Sequence, residues 1–307
     1  MKVQSSEFRV QSASTQPAEE RALPSALYTL PSALGRGPWA VWVDGAAPGW
    51  QNMALDQAML DLAETTGQAF ARLYRWHPFC LSFGRHEPVL ERYDRARIQA
   101  LGLDCVRRPT GGRAVWHARE LTYAVAAPIA GFGSLRSAFE TIHTLLAGAV
   151  RRLGARPSLA PRATRAARPA AGPCFALAGA GELVVAGRKV LGSAQLRQGA
   201  AFLQHGSLLL EDDQALVHSL AGEDPATEAQ SASLSDLLGR RICFREAAEA
   251  VLEAVEPFAE ERGGRREELG TRGWRSLAPH SWLLVPLQEA AARHEPRFRS
   301  AEWTWSR

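Results

Sequence analysis

Two residues of this chain carry groups that can do covalent chemistry and stand fifteen positions apart, Cys174 in "AAGPCFALAG" and Lys189 in "AGRKVLGSAQLRQ". A cysteine attacks as its thiolate, which is a minor species at neutral pH because the free thiol has a pKa of about 8.5. A cation within about 4 to 6 Å lowers a thiol pKa by roughly 1 to 3 units. If the intervening chain turns back, the pair predicts a nucleophilic cysteine activated by a lysine ammonium.

Lys189 also stands out in the composition. The chain has 36 lysines and arginines, and Lys2 and Lys189 are the only lysines among them. A position that needed only a solvated positive charge could have used arginine, whereas a narrow site favours the compact ammonium over the wide guanidinium fork. Two ordinary interpretations stay open here: a stray surface lysine and an idle surface thiol.

Two further segments, together with Arg75 in "ARLYRW", supply candidate site residues. In "RRPTGGRAVWH", Gly111 and Gly112 let backbone amides approach a ligand closely, although a tight turn would use the two glycines equally well. In "LQHGSLLL", His205 can orient a substrate or move a proton, because the unperturbed pKa of histidine lies near neutrality. His205, His117 and Arg75 can each equally be structural.

Composition excludes several classes of function. The four cysteines are widely separated, without a CxxC pair or a His/Cys group at metal-ligand spacing, so we expect no metal site. The net charge of +4 suits acidic partners, but the arginines are spread along the chain and do not indicate nucleic-acid binding. No apolar run reaches the eighteen or so residues of a membrane span, and the N-terminus lacks a signal core, so we expect a cytoplasmic protein without membrane contact.

The elements that must position these residues follow from periodicity. Residues 1–37 lack it and are predicted to be a poorly ordered extension. Helical spacing predicts helices at "NMALDQAMLDLA", "VLERYDRARIQALG", "SLRSAFETIHTLLAGAVRRLG" and "FREAAEAVLEAVEPFAEERGG". Strands are predicted at "ARLYRW", "CLSFG" and "DCVRRP", in "RAVWHARELTYAVAAP", and at "ELVVAGRKVLGSAQLR" and "AAFLQHGSLLL". A proline-rich loop precedes Cys174.

Four blocks together resemble the biotin/lipoate protein ligase superfamily: "RLYRWHPFCLSFGRHEP", "RRPTGGRAVWHARELTYAV", "GRKVLGSAQLRQGAAFLQHGSLLL" and "SAEWTWSR". They occur in the family's order, from about Trp42 to the end of the sequence. The resemblance implies an α+β fold with a central mixed or antiparallel sheet flanked by helices. It also implies a single catalytic domain over residues 38–307, which includes a C-terminal helical segment at about 241–307.

Two chemistries occur in this superfamily. ATP-dependent lipoate ligases typically show a third glycine, an aspartate and Gly-Asn, where this chain has Arg113 and "HARELTYAV". The stretch is more similar to LipM-type octanoyltransferases, with "GGRAV", "ELTY" and a "CF" cysteine ahead of the lysine strand. This resemblance implies Cys174 as the nucleophile and Lys189 as its activating cation. It further implies substrate-binding roles for Arg75, Arg108, Gly111, Gly112, His117, Gly192, Ser193 and His205, with neither a metal nor a cofactor. Trp116 and Ala118 depart from the pattern.

The implied activity is an acyltransferase of lipoate biosynthesis. An octanoyl group would pass from octanoyl-acyl carrier protein, through a Cys174 thioester, to a lysine of a lipoyl domain of a 2-oxoacid dehydrogenase or of the glycine-cleavage H protein. Loop arginines, Arg156, Arg162, Arg165 and Arg168, would favour encounter with such acidic partners. Two alternatives remain: an ATP-dependent lipoate ligase acting through an adenylate, and a non-catalytic relative that only binds carrier proteins.

Overall fold

The structure is a computed structural model of the 307-residue chain. It describes residues 25–28, 39–161, 181–211, 213–222, 231–260, 266–269 and 281–306, and gives the backbone alone for 25–28, 256–260, 266–269 and 281–285. In this part of the chain the strands are β1 Ser25–Tyr28, β2 Trp39–Ala47, β3 Ala69–Trp76, β4 Cys80–Phe83, β5 Asp104–Arg107, β6 Val115–His117, β7 Glu120–Pro128, β8 Pro157–Leu159, β9 Leu183–Val185, β10 Arg188–Lys189, β11 Leu191–Gln198, β12 Ala201–Leu209 and β13 Arg266–Leu269. The helices are α1 Gly49–Thr66, α2 Val89–Arg92, α3 Arg95–Ala100, α4 Leu135–Arg152, α5 Ala215–Leu220, α6 Leu234–Leu238, α7 Phe244–Glu260, α8 Ser281–Arg299 and α9 Ala301–Thr304.

A seven-stranded sheet forms the centre of the fold, in the order β11-β12-β7-β3-β2-β1-β13. Its neighbouring strands run antiparallel except for β2 and β3, which are parallel. Two three-stranded sheets, β10-β9-β8 and β5-β4-β6, stand beside it. The predicted fold class, a mixed sheet flanked by helices, is confirmed.

Helices cover both faces of the large sheet because its strands alternate two apolar sets of side chains. On one face Phe70 packs with Met59 of α1 and Leu287 of α8. On the other face Leu73 packs with Ile142 of α4 and Val251 of α7 is part of the same core. Full burial of such side chains contributes about 1.5 to 3 kcal/mol each, so these two cores hold the sheet rigid beneath the site.

Two predicted elements differ in the structure, each for a local reason. The predicted helix over "VLERYDRARIQALG" is two helices, because the Asp94 side chain accepts a hydrogen bond from the Arg97 amide at 3.1 Å and starts α3 anew. The predicted strand "ELVVAGRKVLGSAQLR" is three strands. Ala186 and Gly187 have φ of 49° and 75°, and this two-residue turn folds β10 back onto β9.

Four residues of the predicted N-terminal extension form an inner strand of the large sheet. β1 pairs antiparallel with β2 on one side and β13 on the other, and the poorly ordered extension over residues 1–37 stays a prediction. β1 is held in the sheet by β2 and β13, and local periodicity in the sequence does not predict such pairing. Within the described residues, no helix is long and apolar enough to cross a membrane.

Candidate active site

A cleft that encloses about 360 Å³ of space, part of it open to solvent, lies where the seven-stranded sheet meets the β5-β4-β6 sheet. Both sheets, α1 and the segment after β5 contribute to its wall. The lining residues are Met53, Tyr74, Trp76, Ser82, Arg108, Val115, His117, Thr122, Gly192, Ser193, Ala194, His205, Gly206 and Ser207. Five predicted substrate-binding residues, Arg108, His117, Gly192, Ser193 and His205, therefore share one cleft.

His117 is held between a carboxylate and a hydroxyl. Its Nδ1 lies 2.6 Å from Glu120 Oε1, and its Nε2 lies 2.7 Å from Ser82 Oγ. Ser82 Oγ accepts a hydrogen bond from Arg108 at 3.0 Å. Trp76 stacks on the imidazole with ring centroids 4.0 Å apart. These contacts fix the plane of the His117 ring in the cleft wall.

His205 belongs to a second buried network. Its Nδ1 donates to Asp56 Oδ2 at 2.7 Å, and its Nε2 lies 2.6 Å from the hydroxyl of Thr110. Thr110 begins the glycine turn, residues 110–113, which contains Gly111 and Gly112. Burial lowers the pKa of His205, although the Asp56 carboxylate acts in the opposite direction. Asp56 also accepts from Tyr74 at 3.0 Å and faces Arg72 at 3.3 Å. This network ties α1 and the sheet to the glycine turn.

The glycine turn is wrapped around the Arg108 guanidinium. Arg108 donates to the carbonyl of Gly111 at 2.9 and 3.1 Å and to the carbonyl of Arg113 at 2.6 Å. Gly112 has a φ of 94°, which favours glycine, and its carbonyl lies against Gly84 so closely that a Cβ on Gly84 would overlap it. Gly111 and Gly112 shape the cleft's margin but are absent from its lining residues.

Arg107, next to Arg108, joins this region to residues 303–306. Its fully buried guanidinium donates to the carbonyls of Gly84, Arg85 and Glu87 on one side, at 2.9 to 3.1 Å. On the other side it donates to the carbonyls of Trp303, Thr304 and Ser306. The Trp303 indole returns a hydrogen bond to the Arg107 carbonyl at 2.8 Å. One side chain therefore fastens two segments that are distant in sequence.

Lys189 is buried, with its side chain 3% exposed, and its Nζ lies 2.8 Å from Glu182 Oε2. Lys189 is the last residue of β10, and Glu182 directly precedes β9, the strand that pairs with β10. Lys189 is three positions before Gly192 of the cleft wall. The predicted cation is therefore not a surface lysine. Cys174 and the loop residues Arg162, Arg165 and Arg168 lie outside the described residues, so activation of a thiolate by Lys189 stays a prediction.

The hydroxyl of Ser193 points away from the cleft. Ser193 pairs with Gly206, and Gly206 pairs with Tyr123, so the three share one face of the sheet, while Ala194, His205 and their row share the other. Ser193 Oγ lies 2.7 Å from the Tyr123 hydroxyl and 2.9 Å from His143 Nε2. Ser193 therefore forms part of the wall while its hydroxyl is engaged on the α4 side.

Arg75 stands apart from the cleft. Alternation along β3 places it on the face opposite to Tyr74 and Trp76, and its guanidinium lies 4.7 Å from the Phe244 ring centroid. Burial lowers the pKa of its guanidinium. Among the described residues, no cluster of three or more His, Cys, Asp or Glu side chains could hold a metal ion.

Asp56, Glu120, His143 and Glu182 are site residues that the sequence interpretation missed. Asp56 lies among the buried residues of α1, His143 interrupts the apolar stripe of the amphipathic helix α4, and Glu120 opens the buried strand β7. Such polar exceptions on a buried face are the signal that could have identified them, because a buried polar group must find a partner.

The family model for the lipoyl protein ligase A/B catalytic domain matches residues 48–256. The chain belongs to this family. Its curated relatives include an octanoyltransferase LipM of Kyrpidia tusciae, which is 36% identical over 75% of this chain and 89% of its own length. An octanoyltransferase LipM of Symbiobacterium thermophilum is 37% identical over 69% of this chain and 83% of its own.

Solved structures of lipoate-protein ligases share the fold of this lipoyl protein ligase A/B family member. The protein Ta0514 of T. acidophilum, a putative lipoate protein ligase with bound lipoic acid, superposes with a TM-score of 0.65, covering 87% of this chain and 98% of its own at 16% identity. A lipoate-protein ligase A bound with ATP gives a TM-score of 0.66, with 86% and 97% coverage at 17% identity. At such identities the likeness establishes the architecture of the catalytic domain and no more.

Proposed function

We propose that the protein is an octanoyltransferase that moves an octanoyl group from octanoyl-acyl carrier protein, through a thioester on Cys174, to a lysine of a lipoyl domain or of the glycine-cleavage H protein. The observation that carries the proposal is the buried ammonium of Lys189, held 2.8 Å from Glu182 and three residues before Gly192 of the cleft wall. The relatives named as octanoyltransferases span most of the chain and support the same reaction.

The first step exchanges one thioester for another. The Cys174 thiolate attacks the carbonyl carbon of the octanoyl thioester, a carbon–sulfur bond forms to the enzyme, and the bond to the carrier's pantetheine sulfur breaks. The pantetheine leaves as a thiolate and takes up a proton. Lys189 favours this step by stabilising the attacking thiolate, since an opposite charge nearby lowers a thiol pKa.

The second step forms an amide. The acceptor lysine loses one proton to solvent, and its neutral amine attacks the enzyme thioester. A carbon–nitrogen bond forms and the carbon–sulfur bond breaks. The nitrogen, which became positively charged on attack, loses one proton, and this proton passes to the Cys174 sulfur. Because an amide is more stable than a thioester, this step drives the sequence forward without ATP.

Two proteins must reach the cleft in turn, an acyl donor and a lipoyl-domain acceptor. Acidic partners would be attracted by the chain's net charge of +4, to which the exposed Arg156 contributes. Steering of this kind weakens as salt screens the charges. The transfer rate should therefore fall as ionic strength rises, and a rate independent of salt would remove this part of the proposal.

Intact mass spectrometry tests the proposed reaction directly. Incubation with octanoyl-acyl carrier protein should add one octanoyl group to the wild-type chain and none to Cys174→Ala, and Cys243→Ala serves as a matched control because Cys243 is exposed. Addition of a lipoyl domain should then discharge the adduct without ATP. Modification of the lipoyl domain that needs ATP and survives Cys174→Ala would instead establish a ligase.

Lys189→Arg tests the need for a compact ammonium. A guanidinium keeps the charge but is wider than the buried position that Lys189 occupies. We expect a loss of adduct formation of about a hundredfold or more, in keeping with the loss of a positioned activating group. A variant with near-normal transfer would remove the role assigned to Lys189.

A further inference from the structure

His143 is a fully buried titratable group that the proposed reaction does not use. It lies on α4, tilted by 38° against Phe139 with ring centroids 4.0 Å apart, and its two nitrogens contact two different segments. Nδ1 lies 2.7 Å from the carbonyl oxygen of Gly181, and Nε2 lies 2.9 Å from Ser193 Oγ.

The partners of His143 decide one of its two nitrogens. A carbonyl only accepts, so His143 Nδ1 donates to Gly181. Gln204 donates to the Tyr123 hydroxyl at 2.8 Å, and the Tyr123 hydroxyl lies 2.7 Å from Ser193 Oγ, where either oxygen can be the donor. A neutral imidazole protonated on Nδ1 can accept from Ser193 at Nε2 and thereby satisfies the whole chain of bonds.

The Gly181 carbonyl is next to the residue that holds Lys189. Gly181 directly precedes Glu182, whose carboxylate pairs with the Lys189 ammonium at 2.8 Å. The Gly181 amide donates to the Ala160 carbonyl at 2.9 Å, so His143 of α4 adds a second anchor. Burial, and then the charge of Lys189, lower the pKa of His143 to about 4. The imidazole is therefore neutral at physiological pH, and it lies within electrostatic reach of Lys189.

We propose that His143 is a positioning residue for the Glu182–Lys189 pair. Its Nδ1 holds the backbone at Gly181 while its Nε2 holds Ser193, so that the buried ammonium and the cleft wall keep one fixed spacing. The kinetic consequence rests on the proposed octanoyl transfer, whereas the placement of Lys189 does not. The role belongs to the backbone anchor at Gly181, since Glu182 follows it directly.

Two conservative variants separate the two contacts of His143. In His143→Asn the amide nitrogen stands near the position of Nδ1 and can donate to Gly181. In His143→Gln the amide group reaches toward Nε2 and Ser193 but leaves the Gly181 carbonyl without this donor. His143→Phe keeps the ring shape and removes both contacts. Thermal unfolding measures the stability of all three variants, so that labelling and transfer are compared between variants of equal stability.

The first measurement uses no acyl substrate. Reductive methylation with formaldehyde and cyanoborohydride, followed by peptide mass spectrometry, compares Lys189 with Lys2, the only other lysine of the chain and hence an internal standard. Wild type and His143→Asn should label Lys189 slowly. His143→Gln and His143→Phe should label it about fivefold faster, as expected when one hydrogen bond is lost from a local opening equilibrium.

The second measurement is octanoyl transfer by the same variants. His143→Gln and His143→Phe should lose about tenfold in kcat with little change in KM, while His143→Asn keeps at least about half of the wild-type kcat. A purely structural histidine would not be rescued by asparagine at matched stability. Unchanged Lys189 labelling in His143→Gln, or labelling in His143→Asn as fast as in His143→Gln, would overturn the proposal. If wild type forms no octanoyl adduct, the proposed function fails while the labelling result still decides the role of His143.

Discussion

Replacement of Asp56 by asparagine tests whether the buried charge network holds the cleft together. Asp56 Oδ1 faces Arg72 at 3.3 Å with both side chains fully buried, and Oδ2 accepts from His205 and Tyr74. In Asp56→Asn the amide oxygen best replaces Oδ2, because it must accept those two bonds. The amide nitrogen then faces the Arg72 guanidinium, donor against donor.

The expected loss in the free energy of unfolding is about 3 kcal/mol. Removing one partner of a buried ion pair costs about 3 to 5 kcal/mol, and the lower end applies because Arg72 keeps Asp44 at 3.0 Å and Asn52 at 2.6 Å. With an unfolding entropy of about 2.1 cal/mol/K per residue, a loss of that size lowers the melting temperature of this 307-residue chain by about 5 °C.

Urea unfolding of Asp56→Asn beside Asp61→Asn measures this effect against a matched control. Asp61 also pairs with a histidine, His294 at 2.6 Å, but its side chain is 34% exposed. Loss of such an exposed pair should cost about 1 kcal/mol or less. If Asp56→Asn were no more destabilising than Asp61→Asn, Arg72 would not depend on Asp56, and the reasoning about the buried network would be refuted.

Three further predictions concern stability around the site. His143 takes up a proton near pH 6.5 in the unfolded chain and only near pH 4 in the folded chain. Its contribution to the free energy of unfolding should therefore fall by about 3 kcal/mol as the pH drops from 6.5 to 4. In His143→Asn, the pH dependence of the free energy of unfolding, measured by urea titrations, should lack this contribution. Gly84→Ala should cost about 2 kcal/mol or more and impair transfer, because its Cβ would overlap the Gly112 carbonyl, whereas Gly45→Ala, with open space around it, should cost less than about 0.5 kcal/mol in the same assay. Arg107→Lys should lose about 3 kcal/mol, since an ammonium has three donors for six carbonyls, and limited carboxypeptidase digestion should then release residues 303–306 faster than in wild type.

Elements with strong local periodicity could be predicted from the sequence. The apolar stripe of α4 depends on neighbours in the chain, and the structure has the helix where the stripe predicts it. The β9–β10 hairpin could not be predicted in the same way. It requires a positive φ at Ala186, and an alanine in the sequence does not indicate a positive φ.

The candidate site was predictable in part, and the limits have a physical cause. His205 was identified as a residue type with useful chemistry, but its partner Asp56 lies 149 residues earlier in the chain, on α1. Arg75 illustrates the reverse case: the alternation of side chains along β3 places it on the face opposite to the cleft. A sequence names candidate groups, whereas their pairing depends on contacts between distant segments.

The six carbonyls around the Arg107 guanidinium affect when, during synthesis, the chain can complete its fold. Three of its six acceptors, the carbonyls of Trp303, Thr304 and Ser306, are synthesised between 196 and 199 residues after Arg107. At a translation rate of about 5 to 20 residues per second, this buried guanidinium waits roughly 10 to 40 s for half of its partners. A chain interrupted before residue 303 would keep a buried cation without them, and such a chain should be recognised as incomplete by cellular proteases.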